Sequence, residues 1–488
     1  VRKALAALAG VVALAGAALI AVPFLEGRIA AQIKSQIEHG GISKVDEVSV
    51  GLFRRRIRLL NLREPDVSIG RWEASGMAWP LGELLAGRTP LAGFRWGDPV
   101  DADRIELENV KGTARATGGT WTIDSLMIDG FSLARYDGSA NGPFRFTTLM
   151  ARALGALTVQ RIEQRNLRAT LPGNGETASL ASVVVEGYRR GHVASLSVAG
   201  LETGAAGQAA RVNIAEVKAS GIDFGRMIAA MSSDHWSPGG PSGRVHVEKA
   251  NATGFGGELL RRYGISLDAV GFETVRESDR LSRSRTRIEG FVLSPPLRGL
   301  EGLSMRMALQ AMGLKDIRAE FDCYGVEDRG KAELVIDRCA LSGPGLGEIG
   351  FTARIVNADE IFWNAMDDGD MLALPDSAAA LGSASLMLAD RSLLERGLRA
   401  VSTMTGQPAA ATRAAWAREI RRYQPPGVLI SQAMTRLLDT VARFVEQGGT
   451  LTIEARPEPP VGFDRLEYLT SPGADLVSVL GLKATLSR

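Results

Sequence analysis

From about Ile42 to Leu388 apolar and polar positions alternate in short runs, each closed by glycine, proline or aspartate. "DADRIELENVKG", "TWTIDSLMIDGFSLARYDG", "LTVQRIEQRNLRATL", "ASVVVEGYRRGHVASLSVAG" and "KAELVIDRCALSG" are typical. Alternation at period two with β-branched residues predicts strands, and the glycine clusters predict turns. Without long helical runs between them, the strands should pair as consecutive antiparallel hairpins and not as βαβ units. Short helices are expected at about Thr147–Leu154, Phe224–Ser232 and Leu300–Met312. "SLMIDGFSL" has apolar residues on both parities, Leu126 and Ile128 against Met127, Phe131 and Leu133, which reads as a strand covered on both sides.

After about Ala389 the period lengthens. "DRSLLERGLRAVSTMTG", "ATRAAWAREIRRYQ" and "PPGVLISQAMTRLLDTVARFVEQGG" read as helices; the third carries Ile430, Met434, Leu437, Leu438, Val441 and Phe444 at helical spacing and stops at Gly448. A strand "TLTIEARP", a proline-rich linker, two short helices and a last strand complete an α+β cap.

The N-terminal region has a third pattern. Ala4–Leu25 contains no charged residue and follows Arg2 and Lys3. Its 22 residues would reach about 33 Å as a helix, enough for a hydrocarbon core of about 30 Å. The leading positive charges favour a cytoplasmic N-terminus and export of the rest. A cleavable signal peptide is the competing reading, since Ala15-Gly16-Ala17 has the small residues a signal peptidase accepts. Leu25, Ile29, Ile33 and Ile37 then recur every four residues up to Gly40-Gly41, predicting a juxtamembrane helix. The expected organisation is a transmembrane anchor (1–25), a juxtamembrane helix (26–41), an elongated antiparallel β region (42–388, groove or sandwich) and a helical α+β cap (389–488). The fold class is α+β, mainly antiparallel β.

Composition changes this picture little. Of 488 residues, 45% are hydrophobic and 23% charged, which fits a folded chain, and a net charge of +2 gives no nucleic-acid signal. Four scattered histidines and two cysteines form no metal-ligand spacing. "GLGEIG" (Gly345–Gly350) matches the dinucleotide glycine pattern, but the strand-like "FTARIVN" follows where a helix is needed. "DDGD" (Asp367–Asp370) lacks calcium-loop spacing and reads as a solvated loop. No phosphate loop, nucleophile elbow or zinc-protease motif occurs. No catalytic residue, metal or cofactor is assigned, and the chain is read as a non-enzyme.

Two local readings follow. Arg54, Arg55, Arg56 and Arg58 in "VSVGLFRRRIRLLNLRE" are expected at a hairpin tip near the membrane, facing lipid phosphates; a solvated turn is the alternative. Cys323 and Cys339 are expected as free thiols. A tight turn at Glu327–Gly330 would set Cys323 opposite Leu334, leaving the cysteines about 17 Å apart, beyond disulfide reach.

The span, the helix and the hairpin opening on "VSVGLFRRRIRLLNLREPDVSIG" resemble the start of AsmA-like envelope proteins of Gram-negative bacteria, relatives of TamB and the repeating β-groove lipid-transfer proteins. "LKDIRAEFDCYGVEDRGKAELVIDRCALSGPGLGEIGFTARI" shares their hairpin cadence. The helical cap departs from the family pattern. The resemblance implies an inner-membrane protein, single-pass, with its bulk in the periplasm, binding or transferring lipid or organising the envelope. Its partners would be membrane lipids and other envelope proteins. Leu126, Ile128, Val183, Val185, Val212 and Ile214 are candidate groove-lining or core positions. A periplasmic scaffold with a closed β core and no lipid is the alternative, and an exported hydrolase a third.

Overall fold

The computed structural model describes residues 22–39, 41–78, 95–114, 118–170, 175–205, 209–237, 245–295, 300–424, 430–466 and 475–487. Of the sequence-predicted span Ala4–Leu25, only residues 22–25 fall within them, at the start of a helix. Among the described residues no helix is long and apolar enough to cross a membrane. The chain forms two compact units, Val1–Arg211 with Glu216–His246, and Val212–Ala215 with Val247–Arg488.

In the first unit a helix α1 (22–39) precedes β1 (Glu47–Gly51), β2 (Arg56–Arg63), β3 (Val67–Ser75), β4 (Val100–Ala114), β5 (Gly119–Leu133), β6 (Leu157–Thr170), β7 (Glu176–Arg189) and β8 (His192–Ala205). Each strand pairs antiparallel with the next, the meander that the alternating runs predicted. β9 (Val212–Asp223) begins in residues that cluster with the second unit. Helices α2 (Arg145–Ala156) and α3 (Gly225–Met231) occupy two of the expected helical stretches. The β7–β8 hairpin closes through Arg190-Gly191, both at positive φ (49° and 92°), the geometry a two-residue turn needs to match strand twist.

The long strands are crossed by two transverse rows of left-handed residues. Asn61, Asn109, Asn166 and Gly200 form one, and Gly76, Gly130 and Gly187 the other. On facing positions, Gly70 lies against Asn109, Gly200 against Ala181, Gly76 against Asp103, Gly130 against Gln160 and Gly187 against Ala194. Asparagine and glycine suit these sites because they tolerate positive φ. Two of the asparagines also donate to a neighbouring carboxylate, Asn61 to Asp46 (3.0 Å) and Asn166 to Asp124 (2.9 Å).

Each kink switches which parity faces inward. Ala74 and Met77 flank Gly76, Leu59 and Leu62 flank Asn61, and Ala102 and Ile105 flank Asp103, yet all pack into one cluster under Ile29, Ala30 and Ile33 of α1. In "SLMIDGFSL" Gly130 turns Phe131 onto the face of Ile128 and Leu126, where it packs into the same cluster, so only Met127 of the second parity stays on the reverse face. The opposite face is charged. Arg58–Glu73 (2.7 Å), Arg71–Glu106 (2.9 Å), Arg104–Asp129 (2.6 Å) and Arg161–Glu163 (3.1 Å) cross it.

In the second unit β10 (His246–Gly256), β12 (Ala269–Ser278), β13 (Leu281–Leu293), β14 (Ile317–Asp328), β15 (Glu333–Gly343), β16 (Gly347–Val356), β17 (Ala380–Asp390), β18 (Thr450–Ala455) and β20 (Lys483–Ser487) pair in that order, all antiparallel. Short strands β11 (Ile265–Ser266) and β19 (Val461–Gly462) add to β13 and β17. Helices α4 (Glu258–Tyr263), α5 (Leu300–Ala311) and α6 (Glu360–Asp368) lie between strands, α5 where the sequence placed a helix. The C-terminal helices α7 (Leu393–Thr405), α8 (Ala409–Arg422) and α9 (Gln432–Gln447) follow the expected runs, and α10 (Phe463–Leu466) and α11 (Leu476–Val479) are the two short ones. Ser431 caps α9 by accepting from the Met434 N–H, and Arg421 of α8 holds Asp439 (2.9 Å) and Glu446 (2.7 Å) of α9. The C-terminal β18 pairs with β17, so the cap is built onto the sheet.

The free-thiol expectation is overturned. Cys323 and Cys339 face each other across β14 and β15 with Cα atoms 3.8 Å apart and form a disulfide. The offset expected from sequence had two errors. Asp328 pairs with Glu333, so the turn lies at 329–332, and an irregularity between Tyr324 and Gly325 leaves Asp337 unpaired. The later turn shifts the register by four residues and the bulge by one, which removes the predicted five.

Candidate functional site

Between the two kink rows of the first unit, the apolar face forms a ladder of directly paired side chains. One rung set runs Ala74, Ile105, Ile128, Ile162, Val185, Leu196; the next runs Trp72, Leu107, Leu126, Gln164, Val183, Val198. Four sequence-predicted positions, Leu126, Ile128, Val183 and Val185, therefore meet in one panel, each half-buried. α1 covers the β1–β4 end of this face. Val212 and Ile214 are half-buried on β9 but belong to the second unit, so they are not part of this panel.

One polar side chain interrupts the panel. Gln164 is 8% exposed and its amide nitrogen has no hydrogen-bond partner, although it sits between Leu126 and Val183. On the reverse face, hydrogen bonds from Arg165 and Arg161 hold the Glu163 carboxyl below its ordinary range, so charge is neutralised in place.

The second unit has a comparable face. Val270, Ile288, Phe321, Leu341, Ile349, Leu388, Leu451 and Leu486 pair in one continuous row across eight strands. Phe272, Thr286, Cys323, Cys339, Phe351, Leu386 and Ile453 make the row beside it. At the β18 end α9 packs against β18 and β20, and Leu451 is 1% exposed. Farther along, Phe272, Leu341, Ile349, Phe351 and Leu386 are 37–47% exposed. Sequence reasoning nominated none of these five, although two of them, Ile349 and Phe351, alternate with glycine and glutamate in "GEIGF". Here too the reverse face is ionic: Arg285 binds Asp322 (2.6 Å) and lies over the Tyr324 ring, and Asp322 is held below its ordinary range chiefly by the Arg285 hydrogen bond.

The arginine cluster is divided by the hairpin. Gly51 pairs with Arg56, so the turn contains only Arg54 and Arg55, beside exposed Phe53. Arg56 and Arg58 lie on β2 and are both tied to Glu73 (3.5 and 2.7 Å).

The weaker motifs have structural roles. Asp367 binds Arg329 (3.0 Å) and Asp370 caps the short 3₁₀ turn Met371–Asp376. "GLGEIG" opens strand β16, as its following residues indicated. Among the described residues no group of acids, histidines and cysteines is placed to hold a metal ion.

Comparison with known proteins adds little. A family model described as "Uncharacterized protein" matches residues 340–487. No curated protein matches the chain.

Proposed function

We propose that this protein is a membrane-anchored, periplasmic lipid-binding protein of the cell envelope, holding acyl chains against the apolar faces of its sheets. The observation that carries the reading is one-sidedness. Each unit has a face of paired apolar residues backed by a face of ion pairs, and in the second unit five large apolar side chains remain well exposed. At about 200 Å² per large side chain, those five leave roughly 400 Å² open to water. Covering that area is worth about 10 kcal/mol at ~25 cal/mol per Å² before binding costs. Leu341, Ile349, Phe351 and Leu386 are neighbours on β15, β16 and β17, apolar patches of a few hundred Å² are often functional, and acyl chains match the non-polar character of this one.

Two further features support the location. The uncharged run Ala4–Leu25 leads directly into α1, and a disulfide suits an oxidising compartment. The test is mass spectrometry of lipid co-purifying with the full chain, in parallel with the Leu126→Glu and Ile349→Glu variants. Bound lipid in the native protein, reduced in folded variants, is the expected result. A folded native protein that carries no lipid from any envelope extract would sink the proposal and favour a scaffold.

A further inference from the structure

One end of the first unit's sheet is built unlike the rest of it. The β1–β2 tip is tied there because Gly76 and Met77 donate to the carbonyls of Arg54 and Arg55 (both 3.3 Å). Val100 pairs with Leu133 and Leu133 with Leu157, so the entry to β4, the end of β5 and the start of β6 lie at the same end. Arg190 donates to the Leu157 carbonyl (2.9 Å), bringing in the β7–β8 turn. Helix α2, between β5 and β6, completes this end.

Two features coincide here. Phe53 is 84% exposed and Phe146 65% exposed, and Met150 follows Phe146 at one helical turn on α2, also exposed. Arg54, Arg55 and Arg190 are exposed and have no ion-pair partner among the described residues, as is true of Arg168 near the far end, whereas Arg58, Arg71, Arg104 and Arg161 along the strands are paired. Of the acids nearby, Asp137 and Asp234 bind Arg152 and Asp223 accepts from the Gly225 N–H, while Asp101 and Asp103 at the start of β4 form no ion pair with these arginines.

We infer that this end is a membrane-docking rim, with Phe53, Phe146 and Met150 entering the headgroup–acyl boundary of an anionic bilayer and Arg54, Arg55 and Arg190 contacting lipid phosphates. The occupant is indicated by the neighbouring chain. Glu26, in the first turns of α1, accepts from the Leu52 N–H (2.8 Å), so the tip is clamped where the uncharged run Ala4–Leu25 ends. Aromatic rings beside unpaired cations are the composition that interfaces select, and each basic residue near such a surface changes partitioning by about fivefold. Strands docked by this rim would meet the membrane end-on, which gives lipid a path onto the apolar panel.

The inference rests on the anchored reading but not on acyl binding. The full chain is placed in nanodiscs of phosphatidylcholine, with or without phosphatidylglycerol, in a Cys323→Ala/Cys339→Ala background. A fluorophore is attached at Phe53→Cys, at Phe146→Cys, or at Thr120→Cys near the far end of the strands. Spin-labelled lipid should quench the first two and spare the third, more strongly in anionic discs. Replacing Arg54, Arg55 and Arg190 with serine should abolish the anionic increment. Equal quenching at all three positions, or none at Phe53 and Phe146, would overturn the rim while leaving co-purified lipid to decide the acyl proposal.

Discussion

Ile349 separates an open face from a closed core. It is 47% exposed, and Leu451, two strands along the same cross-strand row, is 1% exposed. Full burial of such a side chain is worth about 1.5–3 kcal/mol, so Ile349→Glu forfeits only about 1 kcal/mol of burial, and its carboxylate still reaches water. Loss of β propensity adds up to about 1 kcal/mol, for a total near 2 kcal/mol. Leu451→Glu loses the whole burial term and also strands a charge under α9, which should cost about 4 kcal/mol or more. Urea denaturation of both variants gives the comparison, and binding of a fluorescent fatty acid supplies the functional reading. Ile349→Glu should fold with a slightly lowered midpoint and bind the probe weakly, while Leu451→Glu should be largely unfolded. If the two variants lose equal stability, the face is covered in solution and the reasoning from exposure is refuted. Unchanged probe binding by a folded Ile349→Glu would refute the assignment of the face.

Alkylation of denatured, unreduced protein should label neither cysteine, and reduction should lower stability by about 3 kcal/mol for a loop of this length; two labelled thiols would restore the offset hairpin. Gly130→Val should destabilise by about 1–3 kcal/mol, because φ is +62° and a Cβ would lie 2.4 Å from the Gln160 side chain. Gly118→Ala, with φ +73° and nothing within 4 Å, isolates the backbone contribution in the same thermal melt. Asp322 is more acidic in the fold than in the unfolded chain, first through the Arg285 hydrogen bond. Its stabilisation is therefore present above about pH 4 and lost as pH falls below it. Asp322→Asn should show a shallower loss of denaturation midpoint between neutral and acid pH, and an unchanged slope would remove the ion pair from the account.

Helices were legible because their signals are local. Ser431 before α9, Gly448 after it and the helical spacing between them all lie within one stretch of chain, and α9 formed there. What sequence could not supply was the effect of single residues on parity. A period-two reading of "SLMIDGFSL" assumes that every residue is extended, and Gly130 at positive φ breaks the assumption once. Cys323 and Cys339 were misaligned because the turn lies two residues later than its composition suggests and because one unpaired residue, Asp337, shifts the register again. The arginine run was half legible: it marked a hairpin, but pairing of Gly51 with Arg56 decided which two guanidinium groups stay at the tip. Of the six predicted positions, Leu126, Ile128, Val183 and Val185 fall in one panel because they lie between kinks, where alternation holds.

In a sheet with one apolar face a slip of one residue turns that face to water and is resisted, but a slip of two residues keeps it. The rows through Asn61, Asn109, Asn166 and Gly200, and through Gly76, Gly130 and Gly187, supply a stop. A strand displaced by two residues would keep its apolar face but carry its left-handed residue, or the extended residue that faces one, out of the row, so the bends would no longer nest. The kinks thus work like the notches of a key, admitting one alignment among several that hydrophobicity alone would accept. A single-residue deletion in β4, β5, β6 or β7 would therefore be felt across the neighbouring strands as well as its own, and tolerance to length change should be confined to the connections outside the rows.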